Sequence, residues 1–128
     1  MSDELNELSA TIIDASIEVH RVLGGPGLLE CVYEEALAEE LRLRGFQVER
    51  QVQVPIAYKG KALSTPLRLD LRINGLILVE AKAVTEYNKI HDAQMLTYLR
   101  LAGLKLGLVI NFGERLLKDG IHRVVNRL

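Results

Sequence analysis

The chain has 128 residues, a length that fits one domain with a two-layer core. Hydrophobic residues make up 48% but aromatics only 5%, with no Trp, so the core must come from Leu, Val, Ile and Ala and a disordered chain is excluded. A formal net charge of -1 weighs against a binder of nucleic acid that works by overall charge, yet permits a local basic face.

The single cysteine, Cys31, excludes an intramolecular disulfide and a multi-cysteine zinc site. No charged-then-apolar leader opens the chain, and no apolar run reaches the roughly 18 residues of a membrane span. A cytoplasmic protein with no membrane partner is expected.

From about Leu5 to Leu23, apolar residues recur at three- and four-residue spacing (Leu5, Leu8, Ile12, Ala15, Val19, Val22), which predicts a helix. Gly24-Gly25-Pro26-Gly27 ends it; the loop lacks the Lys-Ser/Thr of a phosphate loop and reads as a helix breaker. A second helix is predicted over about Leu28–Arg44, with Gly45 as its terminating glycine. Cys31 within it is expected to be a small buried residue.

The period then changes to two. Phe46, Val48, Val52, Val54, Ile56 and Tyr58 alternate with polar residues, interrupted only by Arg50, and predict one half-buried strand ended by Lys59-Gly60-Lys61. Two strands follow at about Pro66–Ile73 and Leu76–Ala83, joined at Asn74-Gly75. A third helix is expected over about Ile90–Ala102, an interior strand over about Leu106–Asn111, and a short strand at about Ile121–Val125. The order α-α-β-β-β-α-β-β implies an α/β fold with a mixed central sheet flanked by helices, in a single domain spanning residues 1–128.

The hairpin register decides which side chains meet. A two-residue loop would set Asp70 against Val79 and away from Glu80. A three-residue loop of Ile73-Asn74-Gly75 pairs Arg72 with Leu76 and sets Leu69 against Val79 and Leu71 against Ile77. Asp70 then falls opposite Leu78, one diagonal step from Glu80, on the face that also carries Lys82. Burial favours this second register, because it keeps the apolar face free of mismatches.

Two neighbouring carboxylates repel unless a cation or a proton intervenes. Oxygen donors without clustered His or Cys suit Mg²⁺ or Mn²⁺, and an adjacent lysine can orient water or neutralise charge growing on a phosphate. Such a set performs metal-assisted phosphodiester hydrolysis. On spacing alone a surface ion pair on a solvated strand is the commoner meaning of the same residues.

Asp70-x9-Glu80-Ala81-Lys82 resembles the D…(E/D)xK signature of the PD-(D/E)XK nuclease superfamily. Gly27-Leu28-Leu29-Glu30-Cys31-Val32-Tyr33 resembles the motif of its small GxxExxY family, and Gln94-Met95-Leu96-Thr97-Tyr98 is similar to a QxxxY helix motif found in some branches. Leu69 replaces the proline of the signature, at a variable position. The resemblance implies a restriction endonuclease-like core, with Asp70 and Glu80 as metal ligands, the Ala81 carbonyl as a third, Lys82 as the catalytic lysine and Glu30 as the helical acid that reaches the metal directly or through water.

Gln94 and Tyr98 would position phosphate or ligand, with Tyr33 of the GxxExxY motif and Arg68 beside Asp70 as further positioning residues. Each has a plainer reading: Glu30 complements a helix dipole, Gln94 and Tyr98 make a local contact, and exposed strand arginines such as Arg68 and Arg72 are commonplace. His91 shares roughly the Gln94 face and is a weaker candidate. Glu18 and His20, adjacent on the first helix, point apart.

Two functions compete. One is a Mg²⁺- or Mn²⁺-dependent nuclease cutting DNA or RNA, DNA being the favoured substrate, as an endonuclease or an exonuclease, with a homodimer supplying two sites. The other is a non-catalytic nuclease fold that binds nucleic acid or a partner protein. Binding or hydrolysis of a nucleotide-sized ligand is a third, weaker option.

Overall fold

The computed structural model describes residues 2–127 of the chain. Helix α1 (Asp3–Val22) begins where the Ser2 side chain accepts from the Leu5 N–H, and buries Leu5, Leu8, Ile12, Ala15 and Val19, the row its spacing predicts except for Val22, which is exposed in the last turn. Helix α2 (Glu30–Leu43) follows the glycine loop and buries Tyr33, Leu37, Ala38 and Leu41. Gly45 then takes a φ of 89°, a left-handed conformation that glycine adopts without strain.

Five strands form the main sheet in the order β1-β4-β5-β6-β7: β1 (Val48–Val54), β4 (Leu67–Ile73), β5 (Ile77–Lys82), β6 (Leu106–Asn111) and β7 (Ile121–Val125). All neighbours are antiparallel except β5 and β6, which run parallel and are joined by helix α3 (Ile90–Ala102). A short 3-10 turn, Leu117–Gly120, precedes β7. The α/β fold with a mixed sheet flanked by helices is therefore the observed one.

The sheet separates two apolar layers. Helices α1 and α2 cover Leu71, Ile73, Ile77, Val79, Ala81, Leu106, Leu108 and Ile110 on one face. On the other, α3 contributes Met95 and Leu99 to a smaller layer with Leu69, Leu78 and Val109. Strands covered on both faces need continuous rather than alternating apolar sequence, which is what Leu106–Asn111 supplies.

Two expectations need correction. The strand predicted from Phe46 to Tyr58 stops at Val54, before Pro55, and Ala57–Tyr58 (β2) instead pairs with Lys61–Ala62 (β3) as a separate ribbon. Proline interrupts the ladder because it has no N–H to donate. The β4–β5 register also differs: Ile73 pairs with Ile77, Arg72 with Leu78 and Leu71 with Val79. The loop is Asn74-Gly75-Leu76, with both Asn74 and Gly75 at positive φ, so the register lies two residues from the expected one. A shift of two keeps the same face, which is why Asp70 and Glu80 still meet.

The simple alternation nevertheless breaks. Val48 packs in the α1–α2 layer but Val52 and Val54 in the α3 layer; Leu71 and Ile73 belong to the first and Leu69 and Leu67 to the second. Residues two apart on a regular strand share a face, so β1 and β4 both turn over between these positions. The turnover falls where the β1–β4 pairs skip from Arg50–Leu71 to Val52–Leu69. Gln51 occupies that gap at a φ of 51°, a conformation that a residue with a Cβ adopts only under strain.

Candidate functional site

The turnover carries Asp70 out of the regular ladder. Beyond Leu71–Val79 no β4–β5 pair continues, and two carboxylates occupy the seam instead. The Asp70 N–H donates to Glu80 Oε1 at 3.0 Å, and the Ala81 N–H donates to Asp70 Oδ2 at 3.1 Å. Each carboxylate thus replaces a ladder acceptor with one oxygen, and the two carboxyl groups lie within hydrogen-bonding reach of each other.

Glu80 is buried. Burial, and next the charge of Asp70, push its carboxyl up to about 8 from the ordinary value of 4.5. At neutral pH the seam therefore favours a proton or a cation over a second bare negative charge. The Ala81 N–H points at Asp70, and a strand residue presents its N–H and C=O to the same neighbour. Its carbonyl accordingly faces the opened seam as well.

Lys82 follows at the end of β5, largely covered, with its Nζ 3.9 Å from Glu30 Oε1. Glu30 is the first residue of α2 and about half exposed. Lys82 is fixed from behind by β6: its carbonyl accepts from the Phe112 N–H at 2.7 Å, and it pairs with Asn111 in the parallel ladder. The fully buried Asn111 side chain accepts from Val84 and Gly113 N–H groups, at 3.0 Å each, and donates to the Val84 carbonyl, closing the chain just after Lys82. Gly113 is required there, since a Cβ would stand 2.3 Å from the Val84 carbonyl oxygen.

Tyr98 reaches the same region from α3. Its hydroxyl is held above the ordinary phenol range by burial first and then by the charges of Glu80 and Asp70. Gln94, one helical turn earlier, is exposed and lines an open surface pocket with Ile90, His91, Ala93 and Thr97. Arg68 is exposed beside the seam, whereas Arg72 is committed to Glu49 through bonds of 2.6 and 2.9 Å.

Tyr33, expected among the positioning residues, lies wholly inside the core. Its ring stacks on Phe112 at 4.7 Å, and its hydroxyl donates to the Gly25 carbonyl and accepts from the Leu28 N–H. It positions the loop that leads to Glu30, not a substrate. Cys31, expected to be buried, is exposed. His20 is buried, with Nε2 2.8 Å from the Glu114 carbonyl oxygen, far from any shared role with Glu18, which pairs with Arg21.

Sequence reasoning missed Glu34. It lies one turn after Glu30 on α2 and is buried, and its carboxylate accepts from Arg50 (3.1 and 3.3 Å) and from Gln51 Nε2 (3.0 Å to each oxygen). These contacts clamp the left-handed residue opposite Asp70. A signal was present: Arg50 is the one residue that interrupts the apolar row of β1.

The donor set fits a hard divalent cation. Carboxylate oxygens of Asp70 and Glu80, with a carbonyl beside them, are the ligand types of Mg²⁺ and Mn²⁺. Among the described residues no group of three His, Cys, Asp or Glu side chains is assembled as a ready-made metal cage. Glu30 thus stands with Lys82 rather than with the carboxylate pair.

No helix among the described residues is long and apolar enough to cross a membrane. Comparison with curated proteins and with solved structures finds no match. The family model of the PD-(D/E)XK nuclease superfamily matches residues 6–124, nearly the whole chain, and takes in the glycine loop, both strands of the carboxylate seam and the α3 motif. PD-(D/E)XK nucleases generally use divalent metal ions and act on nucleic acid. The chain belongs to the PD-(D/E)XK nuclease superfamily.

Proposed function

We propose that this protein is a nuclease that hydrolyses phosphodiester bonds of nucleic acid at the seam where β4 and β5 part. The observation that carries the reading is the facing pair of Asp70 and Glu80, with Glu80 buried and its carboxyl held at about 8 by burial and by Asp70. Such a pair is unstable as two bare charges and becomes stable when a cation joins it.

Asp70, Glu80 and the Ala81 carbonyl would hold Mg²⁺ or Mn²⁺. Held there, it would supply neutralisation of the two carboxylates and Lewis-acid activation of water and phosphate. The ammonium of Lys82 orients the attacking water or offsets charge that grows on the phosphate, an effect that is strongest in a site shielded from solvent. Glu30 Oε1 lies 3.9 Å from that ammonium and offers it a carboxylate partner. Tyr98, beside both carboxylates, offers a hydroxyl to the phosphate, and Gln94 and Arg68 flank the path of the strand. The Gly27–Tyr33 run supports membership of the GxxExxY branch. The site serves one domain, and a homodimer would supply two cleavage sites.

The test is a Mn²⁺ and Mg²⁺ titration of wild-type and Lys82→Ala protein on labelled single- and double-stranded DNA and RNA. Metal-dependent cleavage that falls at least about 100-fold in the variant is expected, since even partners of a metal ligand cost 10- to 100-fold when removed. Metal-induced thermal stabilisation that vanishes in Asp70→Ala, with no cleavage of any substrate, would instead support a nuclease fold used for binding nucleic acid or a partner protein.

A further inference from the structure

The connection between β1 and β4 does more than join two strands. Every residue from Ala57 to Pro66 is exposed, including both strands of the β2–β3 ribbon, so this segment stands in solvent. A ribbon of two residues per strand gains almost nothing for the stability of the core. Its chemistry is nevertheless pronounced. From Gln51 to Leu69 the chain carries Lys59, Lys61 and Arg68 and no Asp or Glu, in a protein where acids outnumber Lys and Arg by 17 to 16. None of these three cations forms an ion pair among the described residues, so each is free to meet an anion.

The ribbon also displays an aromatic ring. Tyr58 is 61% exposed, and the Lys59 ammonium lies 5.5 Å from its centroid. An exposed ring costs hydration without aiding the fold, but it offers a surface on which a base can stack, while cations beside it meet phosphates. Placement completes the argument. β4 runs antiparallel to β5, so the arm leaves the sheet at the end where Lys82 lies. Ala62 and Asp70 are eight residues apart, which bounds their separation at about 29 Å, a span within the footprint of roughly 4–16 nucleotides typical of single-strand sites.

We propose that the β2–β3 arm binds unpaired nucleic-acid strand, with Tyr58 stacked on a base and Lys59, Lys61 and Arg68 on successive phosphates, and that it leads the strand to the carboxylate seam. The leading role rests on the nuclease reading; binding by the arm does not. Unpaired strand is favoured over duplex because a base inside a duplex has both faces covered by its neighbours.

The test is fluorescence anisotropy in EDTA, which needs no turnover, on a labelled single strand and on a blunt duplex. It compares wild type, Tyr58→Ala and the double variant Lys59→Gln/Lys61→Gln. Tyr58→Ala is expected to weaken single-strand binding about 5- to 100-fold, the usual worth of one stacked base, and to leave duplex binding nearly unchanged. The lysine double variant should lower the slope of log affinity against log salt by about 1.4 on single strand.

Wild-type affinity in both variants overturns the proposal. So does an equal loss on strand and duplex in Tyr58→Ala, which would mark a general polyanion patch. Binding to phosphatidylserine vesicles with none to oligonucleotides would also overturn it and point to a lipid surface. If arm variants lose binding while no protein cleaves, the nuclease reading fails and the arm stands. If wild type cleaves and the arm variants bind as it does, only the arm falls.

Discussion

The two seams of β5 behave in opposite ways. On one side β5 meets β6 in six consecutive parallel pairs from Ile77–Leu106 to Lys82–Asn111, with β6 buried throughout. On the other side it meets β4 in three pairs and then parts, and carboxylates fill the gap. Both seams belong to one strand, so the difference is not one of sheet quality. A closed ladder satisfies every backbone group and leaves no room for a ligand; an opened ladder frees acceptors and space but must be held open. Here that is done by Gln51, by the Glu34 clamp behind it and by the turnover of β1 and β4. Stability should therefore reside in the closed seam and chemistry in the open one.

The largest expected effect tests the closed side. Leu106 is fully buried in the α1–α2 layer and pairs with Ile77, at the end of β6 remote from Lys82. Leu106→Ala should cost about 2–5 kcal/mol, since truncation removes buried methyl groups and leaves a cavity. Urea unfolding measures the loss, and cleavage per folded molecule should stay within a few-fold of wild type. A variant of normal stability but lost activity would show that the two seams are not divided in this way.

Glu34→Ala addresses the open side. It removes the acceptor of Arg50 and Gln51, and Arg50 is a third exposed, so the cost is discounted to about 1–3 kcal/mol. The sharper expectation is for the site: without its clamp Gln51 can leave the strained conformation, and the Asp70–Glu80 geometry should loosen. Amide chemical shifts of Asp70 and Ala81, whose N–H groups bond the two carboxylates, should move, and metal affinity should fall by more than Leu106→Ala lowers it. Unmoved amides would leave Glu34 with a purely structural role.

Acidity supplies a third comparison. The Glu80 carboxyl is raised in the folded protein, from 4.5 to about 8. The folded state therefore holds this proton more tightly than the unfolded chain, so the stabilisation is complete below about pH 4.5 and is lost as pH rises towards 8. Metal-free protein should become more stable on acidification across this window, by this group's share, and Glu80→Gln should flatten that dependence. Saturating Mn²⁺ should reverse it, because the cation prefers the ionised carboxylates. Thermal melts at several pH values, with and without metal, read all three arms; an unchanged slope in Glu80→Gln would assign the dependence to other groups.

Much of this was legible in the sequence for a physical reason. Helical spacing in Leu5–Val22 and the unbroken apolar run of β6 record burial directly, and burial fixes those elements. The meeting of Asp70 with Glu80 was legible too, since register errors of two residues preserve the face. What alternation could not show was a strand that changes layers: Val48 and Val52 are equally apolar although they face different helices. The β2–β3 ribbon was hidden because Ile56 and Tyr58 continue the period of two across Pro55. Cys31 was misplaced because neighbours on a helix differ in burial by rotation alone, and α2 offered too broad an apolar face to fix its phase; Tyr33 was assigned to the substrate by its motif alone, although it belongs to that apolar face.

Tyr33→Phe carries the smallest effect and separates support of the loop from support of the seam. The substitution keeps the ring that stacks on Phe112 and removes only a hydroxyl that bonds Gly25 and Leu28. Loss of these two bonds should cost about 1–2 kcal/mol, partly repaid if water reaches the freed groups. The loop runs directly into Glu30, so any activity change should arise through the Glu30–Lys82 contact, 3.9 Å long and half open to solvent at the glutamate. A contact that loose is weakly coupled to its surroundings. Cleavage should therefore fall less in Tyr33→Phe than in Glu34→Ala, with metal affinity unchanged. A larger loss in the tyrosine variant would mean that the entry of α2, not the clamp behind Asp70, sets the geometry of the site.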